Sequence, residues 1–210
     1  LNALKAKGLD ENTFVIFTAD NGPEAYAWPR AEKYGHFSMG ELRGLKRDVW
    51  EGGHHVPFII KWPGRVPAHS VSDEVISQVD IMATIAAITG ANLPAEAAPD
   101  SYNFLPVAEG ASLLTPLREA TVHNTYADIW GLRQDQWLYI DGPTGGHRKM
   151  PDSFMSLRGY EEFESDVLLF DLKQDPGQRV NLSEKYPDRV KAMASLLERY
   201  RTQGYSVPRS

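Results

Sequence analysis

The chain has 210 residues, 42% of them hydrophobic and 24% charged, enough for one large or two small domains with a real core. A net charge of −6 excludes a general nucleic-acid or polyanion surface, so any anion must be met by a local cationic patch. No cysteine is present, which excludes disulfides and thiolate metal sites, and no run approaches the roughly 18 apolar residues that a membrane helix needs.

Leu1 to Lys7 reads as the end of an amphipathic helix stopped by Gly8. No basic, apolar leader is visible at the start, and the chain is expected to be a piece of a longer protein whose upstream part is missing. Thr13 to Thr18 is a short apolar run of β-formers, the pattern of a strand buried on both faces, as in a parallel sheet under helices. Residues 19 to 55 are polar, glycine-bearing and without period, and are expected to be a long functional loop. Pro57 to Trp62 reads as a second buried strand, ended by Pro63-Gly64.

Ser77-Gln78-Val79-Asp80 opens a helix with a capping-box variant, and Gly90 closes it. Ile81, Met82, Ile85 and Ile88 form its expected core-facing stripe. Residues 96 to 118, rich in proline and small residues, read as a linker between residues 1 to 95 and residues 119 to 210. Beyond it come four short strand candidates: Glu119 to Tyr126, Ile129 to Arg133, Trp137 to Asp141 and Val167 to Leu172. Residues 142 to 160 form another expected loop. The last element is an amphipathic helix from Pro187 to Gln203, with Val190, Met193, Leu196, Leu197 and Tyr200 on one face and Gly204 as its stop. The pattern is α/β: part of an α/β core, then a small antiparallel sheet with a C-terminal helix.

Asp20 and Asn21 follow the first strand, at the kind of strand end where open α/β sheets bind ligands. Their oxygens are hard donors suited to calcium or magnesium, and more carboxylates would have to come from elsewhere. Taken alone, Asp20-Asn21-Gly22 is also a strong turn sequence. Arg43-Gly44-Leu45-Lys46-Arg47 gathers three cations on an acidic background; it reads as an anion grip or as a solvated turn. Glu51 is read as structural support for its loop.

The histidines divide by position. His54 and His55 are adjacent and a poor chelating pair, and no zinc spacing occurs. His36 and His55 flank the cationic loop and are candidates to touch substrate, whereas His123 is read as structural. Pro143 to Arg148 lacks the core of a phosphate loop, and no Gly-x-Ser-x-Gly elbow is present.

Together these signals are more specific. The run Thr18-Ala19-Asp20-Asn21-Gly22, Leu42-Arg43-Gly44-Leu45-Lys46, Trp50-Glu51-Gly52-Gly53, Val56-Pro57 and Trp62-Pro63-Gly64 resembles, in order and spacing, the second-half signature of sulfatases in the alkaline phosphatase superfamily. Val79-Asp80-Ile81 through Gly90 is similar to the helix that follows in that family. Leu169-Phe170-Asp171-Leu172, Asp175-Pro176-Gly177 and Asn181-Leu182 are similar to its closing strand and turn.

The resemblance implies an α/β sandwich followed by a four-stranded antiparallel subdomain with a helix. It implies a sulfuric ester hydrolase acting on a small-molecule or glycan sulfate ester, in the periplasm or outside the cell. Asp20 and Asn21 would ligate a calcium ion, magnesium being the lesser choice, and Lys46 would contact the sulfate. The family's nucleophile, a formylglycine made in a Cys/Ser-x-Pro-x-Arg motif, has no counterpart here, so the chain by itself is expected to be inactive. His55 stands where many members carry arginine before Val-Pro, and Glu41 where proline is common. A phosphate or phosphonate ester hydrolase on the same fold and a non-catalytic homologue that binds sulfated glycans are the alternatives.

Overall fold

A computed structural model describes residues 1–94, 96–125 and 128–208. In chain order the elements are α1 (Asn2–Ala6), a 3-10 turn (Asp10–Asn12), β1 (Val15–Thr18), α2 (Ala27–Tyr34), a 3-10 turn (Glu51–Gly53), β2 (Phe58–Lys61), α3 (Asp80–Thr89), α4 (Leu105–Ala108), β3 (Thr121–Asn124), β4 (Trp130–Gln134), β5 (Trp137–Asp141), α5 (Asp152–Arg158), β6 (Leu168–Asp171) and α6 (Pro187–Gln203). They form two compact units. The first comprises Leu1–Thr18, Pro57–Glu119 and the chain from Tyr200 onward; the second comprises Ala19–Val56 and Ala120–Arg199. The sequence boundaries expected at 95/96 and 118/119 are linear divisions, whereas these units are assembled from separated segments. One crossing, at 119/120, falls within a residue of an expected boundary.

In the first unit β1 and β2 pair antiparallel, Phe17 opposite Ile59. Both of those side chains are exposed, at 65% and 59%. The expectation of strands buried on both faces in a parallel arrangement is therefore corrected. Among the described residues these two strands make a ribbon of their own, whose alternate side chains leave one row without a covering layer. The stripe expected on α3 is corrected too: Met82 and Ile85 are exposed, while Asp80, Thr84 and Ala86 are buried.

What α3 buries is a polar anchor. The Asp80 carboxylate accepts from the Ser77 amide at 2.7 Å and from the Tyr102 amide at 2.8 Å, and pairs with Arg118. The first of these is the backward half of the expected capping box. Thr84 accepts from the Phe104 amide at 3.1 Å, and Phe104 meets Phe58 edge-on at 5.7 Å. Much of the 96–118 stretch is thus tied to α3, and Phe104 and Arg118 are buried in it.

The second unit carries the four-stranded antiparallel sheet, in the order β3-β4-β5-β6. Each strand lies on the run expected for it, although the outer end of the first candidate, Tyr126, lies outside the described residues. α6 buries Met193, Leu196, Leu197 and Tyr200, the face read from its period. Two helices appear inside expected loops. α2 has Pro29 within its first turn, where a missing amide is tolerated, and closes on Gly35 at φ +63°. α5 closes on Gly159 at φ +64°.

α2 and α5 build one core, of Ala27, Trp28, Ala31, Met39, Leu45, Phe154 and Tyr160. A second core, of Val49, Trp50, Leu138, Ile140, Leu168 and Phe170, lies on the sheet. The short stretch from Leu45 to Val49 runs from one core into the other.

Candidate functional site

Three stretches of the second unit meet backbone to backbone. The Gly22 amide donates to Gly53 O at 2.9 Å, and the Gly52 amide to Arg43 O at 2.7 Å. The glycines are required by this closeness: a Cβ on Gly22 would stand 1.8 Å from Gly52 O, and one on Gly52 would stand 2.5 Å from Gly44 O. The glycine signals in the sequence are therefore a packing device that brings the Asp20-Asn21 turn onto the Glu51-Gly52-Gly53 turn.

Asp20 is exposed, and Asn21 is half-buried with its Nδ2 donating to Gly22 O at 2.9 Å. That bond directs Oδ1 as the atom left for a cation. Two hard oxygens on adjacent residues suit calcium in kind but supply only part of a shell of about 6–8 oxygens. Among the described residues no group of three or more His, Cys, Asp or Glu could hold a metal.

Lys46 lies between the two cores. Its amide donates to Pro23 O at 2.9 Å, and its Nζ stands 3.1 Å from Glu24 Oε1. Arg47 Nη1 lies 3.1 Å from the other oxygen of the same carboxylate. The Lys46 hydrogen bond, helped by Arg47, holds the Glu24 carboxyl below its ordinary range. Glu24 gave no signal in the sequence.

Asp48 fixes the same loop from beneath. Its Oδ2 accepts from the Leu45 amide at 2.8 Å; its Oδ1 accepts from the His147 amide at 2.9 Å and from His147 Nδ1 at 2.8 Å. His147 Nε2 in turn accepts from Arg148 Nε at 2.8 Å, and the Val49 amide donates to Gly145 O at 2.7 Å. The stretch from Pro143 to Arg148, dismissed as a phosphate loop, buttresses the lysine loop instead.

Arg43 is no anion grip. Only 5% exposed, it lies over the rings of Trp50, Tyr160 and Phe163 at 4.4, 4.7 and 4.9 Å and donates to Gln178 O and Glu161 O. Burial lowers its pKa to about 10, still far above neutrality. Of the three cations in the pentad, one is structural and two share Glu24.

Glu51 is the hub of a second cluster, in line with its reading as support. Its Oε2 accepts from His55 Nδ1 at 2.9 Å and from Arg133 Nη1 at 3.0 Å. Burial would raise its carboxyl, but the His55 hydrogen bond and the charges of His54, Arg133 and His55 outweigh it and hold the pKa at about 2. The His54 and His123 rings lie with centroids 3.8 Å apart and planes tilted by 46°, and both donate Nε2–H to Val49 O, at 3.0 and 3.2 Å. Burial lowers both pKa values, that of His123 to about 3, so the His123 ring is neutral at physiological pH.

The structure thus interlocks Asp20, Asn21 and Lys46 through Gly22, Pro23 and Glu24. It does not draw His55 or His36 in: among the described residues no hydrogen bond joins either to Lys46, His55 is engaged by Glu51, and His36 is exposed just after the α2 cap.

Comparison with known proteins places these features. A family model described as Sulfatase matches residues 1–91. N-acetylgalactosamine-6-O-sulfatase of Bacteroides thetaiotaomicron is 31% identical over 97% of this chain and 39% of its own length. Arylsulfatase G of Rattus norvegicus is 32% identical over 85% of this chain and 35% of its own length. The chain therefore spans well under half of these relatives.

Among solved structures, one from Bacteroides thetaiotaomicron, described with the metabolism of multiple glycosaminoglycans, superposes with a TM-score of 0.75 at 32% identity, covering 96% of this chain and 41% of its own. A sulfatase from Pseudoalteromonas sp. shares the fold, with a TM-score of 0.73 at 21% identity over 96% of this chain and 39% of its own. No described helix is long and apolar enough to cross a membrane.

Proposed function

The chain belongs to the sulfatase family, and on that premise we propose that it is the metal- and sulfate-gripping part of a sulfuric ester hydrolase. One observation carries the reading: a lysine locked between two cores is interlocked, through Pro23 and Glu24, with a turn bearing two hard oxygens. A cation and a hard-ligand pair on loops that cannot drift apart are what a charged ester needs in order to be held while a bond to its central atom breaks.

In this reading Lys46 binds a sulfuryl oxygen as a compact point charge and stabilises negative charge as the ester breaks. Asp20 and Asn21 would contribute a carboxylate and an amide oxygen to a calcium ion, which when bound neutralises charge on the sulfuryl oxygens. His36 and His55 are carried in this reading as candidate contacts for the alcohol part of the ester, both being exposed. The nucleophile is a formylglycine contributed by sequence outside this chain, so the chain alone does not turn over substrate. The amino-sugar sulfatase among the relatives supports a sulfate ester on a glycan, and an extracytoplasmic location accompanies that reading.

The test is made on the full-length protein. Peptide mass spectrometry should find formylglycine in a Cys/Ser-x-Pro-x-Arg segment, and an aryl sulfate should be hydrolysed. Lys46→Ala should lower kcat/KM by at least about 100-fold with an unchanged melting temperature. An unmodified protein, or near-normal turnover by Lys46→Ala, would overturn the assignment.

A further inference from the structure

The reading above gives Glu24 no chemical role of its own, yet Lys46 is held through it. One of its oxygens lies 3.1 Å from Lys46 Nζ, and its two oxygens lie 3.2 and 3.1 Å from Arg47 Nη1. A carboxylate shared by neighbouring cations on a surface is commonly a loose pairing of little consequence. Three observations set this one apart.

The first is main-chain alignment. The Lys46 amide donates to the carbonyl of Pro23, the residue before Glu24, so the two side chains leave backbones already joined at 2.9 Å. The second is anchorage on both sides. Leu45 and Val49 bracket the two cations from separate cores, and α2, which begins three residues after Glu24, sinks Ala27 and Trp28 into one of them. The third is conformation. Arg47 takes φ +78°, a left-handed backbone that a residue with a Cβ adopts only when its surroundings impose it.

The donor inventory settles what the pairing does. An ammonium has three N–H donors, and Glu24 takes one from Lys46, leaving two for an anion. One carboxylate against two cations leaves this corner with a net positive charge. Glu24 therefore does not neutralise the corner; it removes the rotamer freedom of a long lysine stem, which would otherwise have to be lost when substrate binds.

We propose that Glu24 is the positioning residue for Lys46, fixing Nζ at the place where a sulfuryl oxygen is met. The proposal rests on the sulfatase reading, because it takes Lys46 to be the sulfate contact. It concerns how the lysine is held, which that reading leaves open.

The experiment is a double-mutant cycle in the full-length protein, with an aryl sulfate as substrate and inorganic sulfate as competitive inhibitor. Glu24→Ala should lower kcat/KM by about 100-fold, chiefly in kcat, the scale of loss expected when a reacting contact is misplaced. Glu24→Gln, which keeps the shape and an acceptor but not the charge, should lose about tenfold. Inhibition by inorganic sulfate should weaken in both.

Adding Glu24→Ala to Lys46→Ala should change turnover by less than about twofold, because a residue that acts through Lys46 has nothing left to act on. A full multiplicative loss in the Lys46→Ala background, or wild-type kinetics for Glu24→Ala, would overturn the proposal while leaving Lys46 as the sulfate contact. Normal turnover by Lys46→Ala would instead bring down the parent reading and this inference with it. The isosteric Glu24→Gln guards against misfolding: equal losses in Gln and Ala variants together with a lowered melting temperature would show a structural role only and would also overturn it.

Discussion

Gly22→Ala is a small change with a large expected effect. Gly22 has no left-handed backbone to lose, so the alanine conformation itself is permitted and the consequence is purely steric. The added methyl would lie 1.8 Å from Gly52 O, 2.9 Å from Gly52 C and 3.2 Å from Gly53 C. None of these atoms can swing aside as a side chain does. The turn they belong to is itself pinned, by Gly52 N on Arg43 O at 2.7 Å and Gly53 N on Trp50 O at 2.8 Å.

Restoring ordinary contact therefore means parting the two turns by about 1.5 Å, which breaks the bond from Gly22 N to Gly53 O. Overpacking of about 1–3 kcal/mol and a lost hydrogen bond of about 1 kcal/mol give roughly 2–4 kcal/mol of destabilisation. Gly40→Ala is the matched control: φ is +61° and no atom lies within 4 Å, so only left-handed strain of about 1 kcal/mol is expected. Urea denaturation of both variants beside the parent measures the difference. If Gly22→Ala is no less stable than Gly40→Ala, the backbone-on-backbone account of this loop is wrong.

Three further outcomes follow from the geometry. Arg43→Lys loses the fork that reaches Gln178 O and Glu161 O at 3.0 and 3.1 Å and the planar stack on three rings; thermal or urea melting should show a loss of about 2–4 kcal/mol, and parent-like melting would refute the aromatic enclosure. Stability should fall on acidification. The folded pKa values of His54 and His123 lie below the ordinary 6.5, so the unfolded chain binds more protons and stability declines as the pH falls below about 6.5; for His123 the decline continues to about pH 3, at up to about 1.4 kcal/mol per pH unit. Glu51, with its pKa lowered from 4.5 to about 2, adds a further loss between those values, and a flat denaturation midpoint from pH 7 to 5 would contradict the histidine pair. In the full-length protein a calcium chelator should lower the melting temperature, and Asp20→Ala should abolish that response; an undiminished response in Asp20→Ala would remove Asp20 from the metal site.

The sequence was most legible where a signal is repeated within a few residues. The 3.6-residue period of α6 and the spaced runs of β3 to β6 were found because each is set by its own side chains. α2 escaped because its eight residues include Pro29 and carry polar residues through the second turn. Arg43 was misread for a different reason. Three cations in five residues look solvated, and the acceptors that claim this one, Glu161 and Gln178, lie 118 and 135 positions away. Glu24 is the same case in reverse: nothing in its neighbourhood announces it, and its role appears only when Lys46 is brought back onto Pro23. The stripe on α3 had the right period, but burial is a property of what lies opposite, which a single helix does not specify.

The division into units has a consequence for how this polypeptide is made and cut. The chain passes from one unit to the other at 18/19, 56/57, 119/120 and 199/200, so neither is a continuous stretch. A ribosome emitting these residues completes the first unit after the second, since the first unit waits for the residues from Tyr200 onward. No single protease nick or stop codon can release either unit whole, and a graft of the sheet-bearing unit into a relative would need several splice junctions.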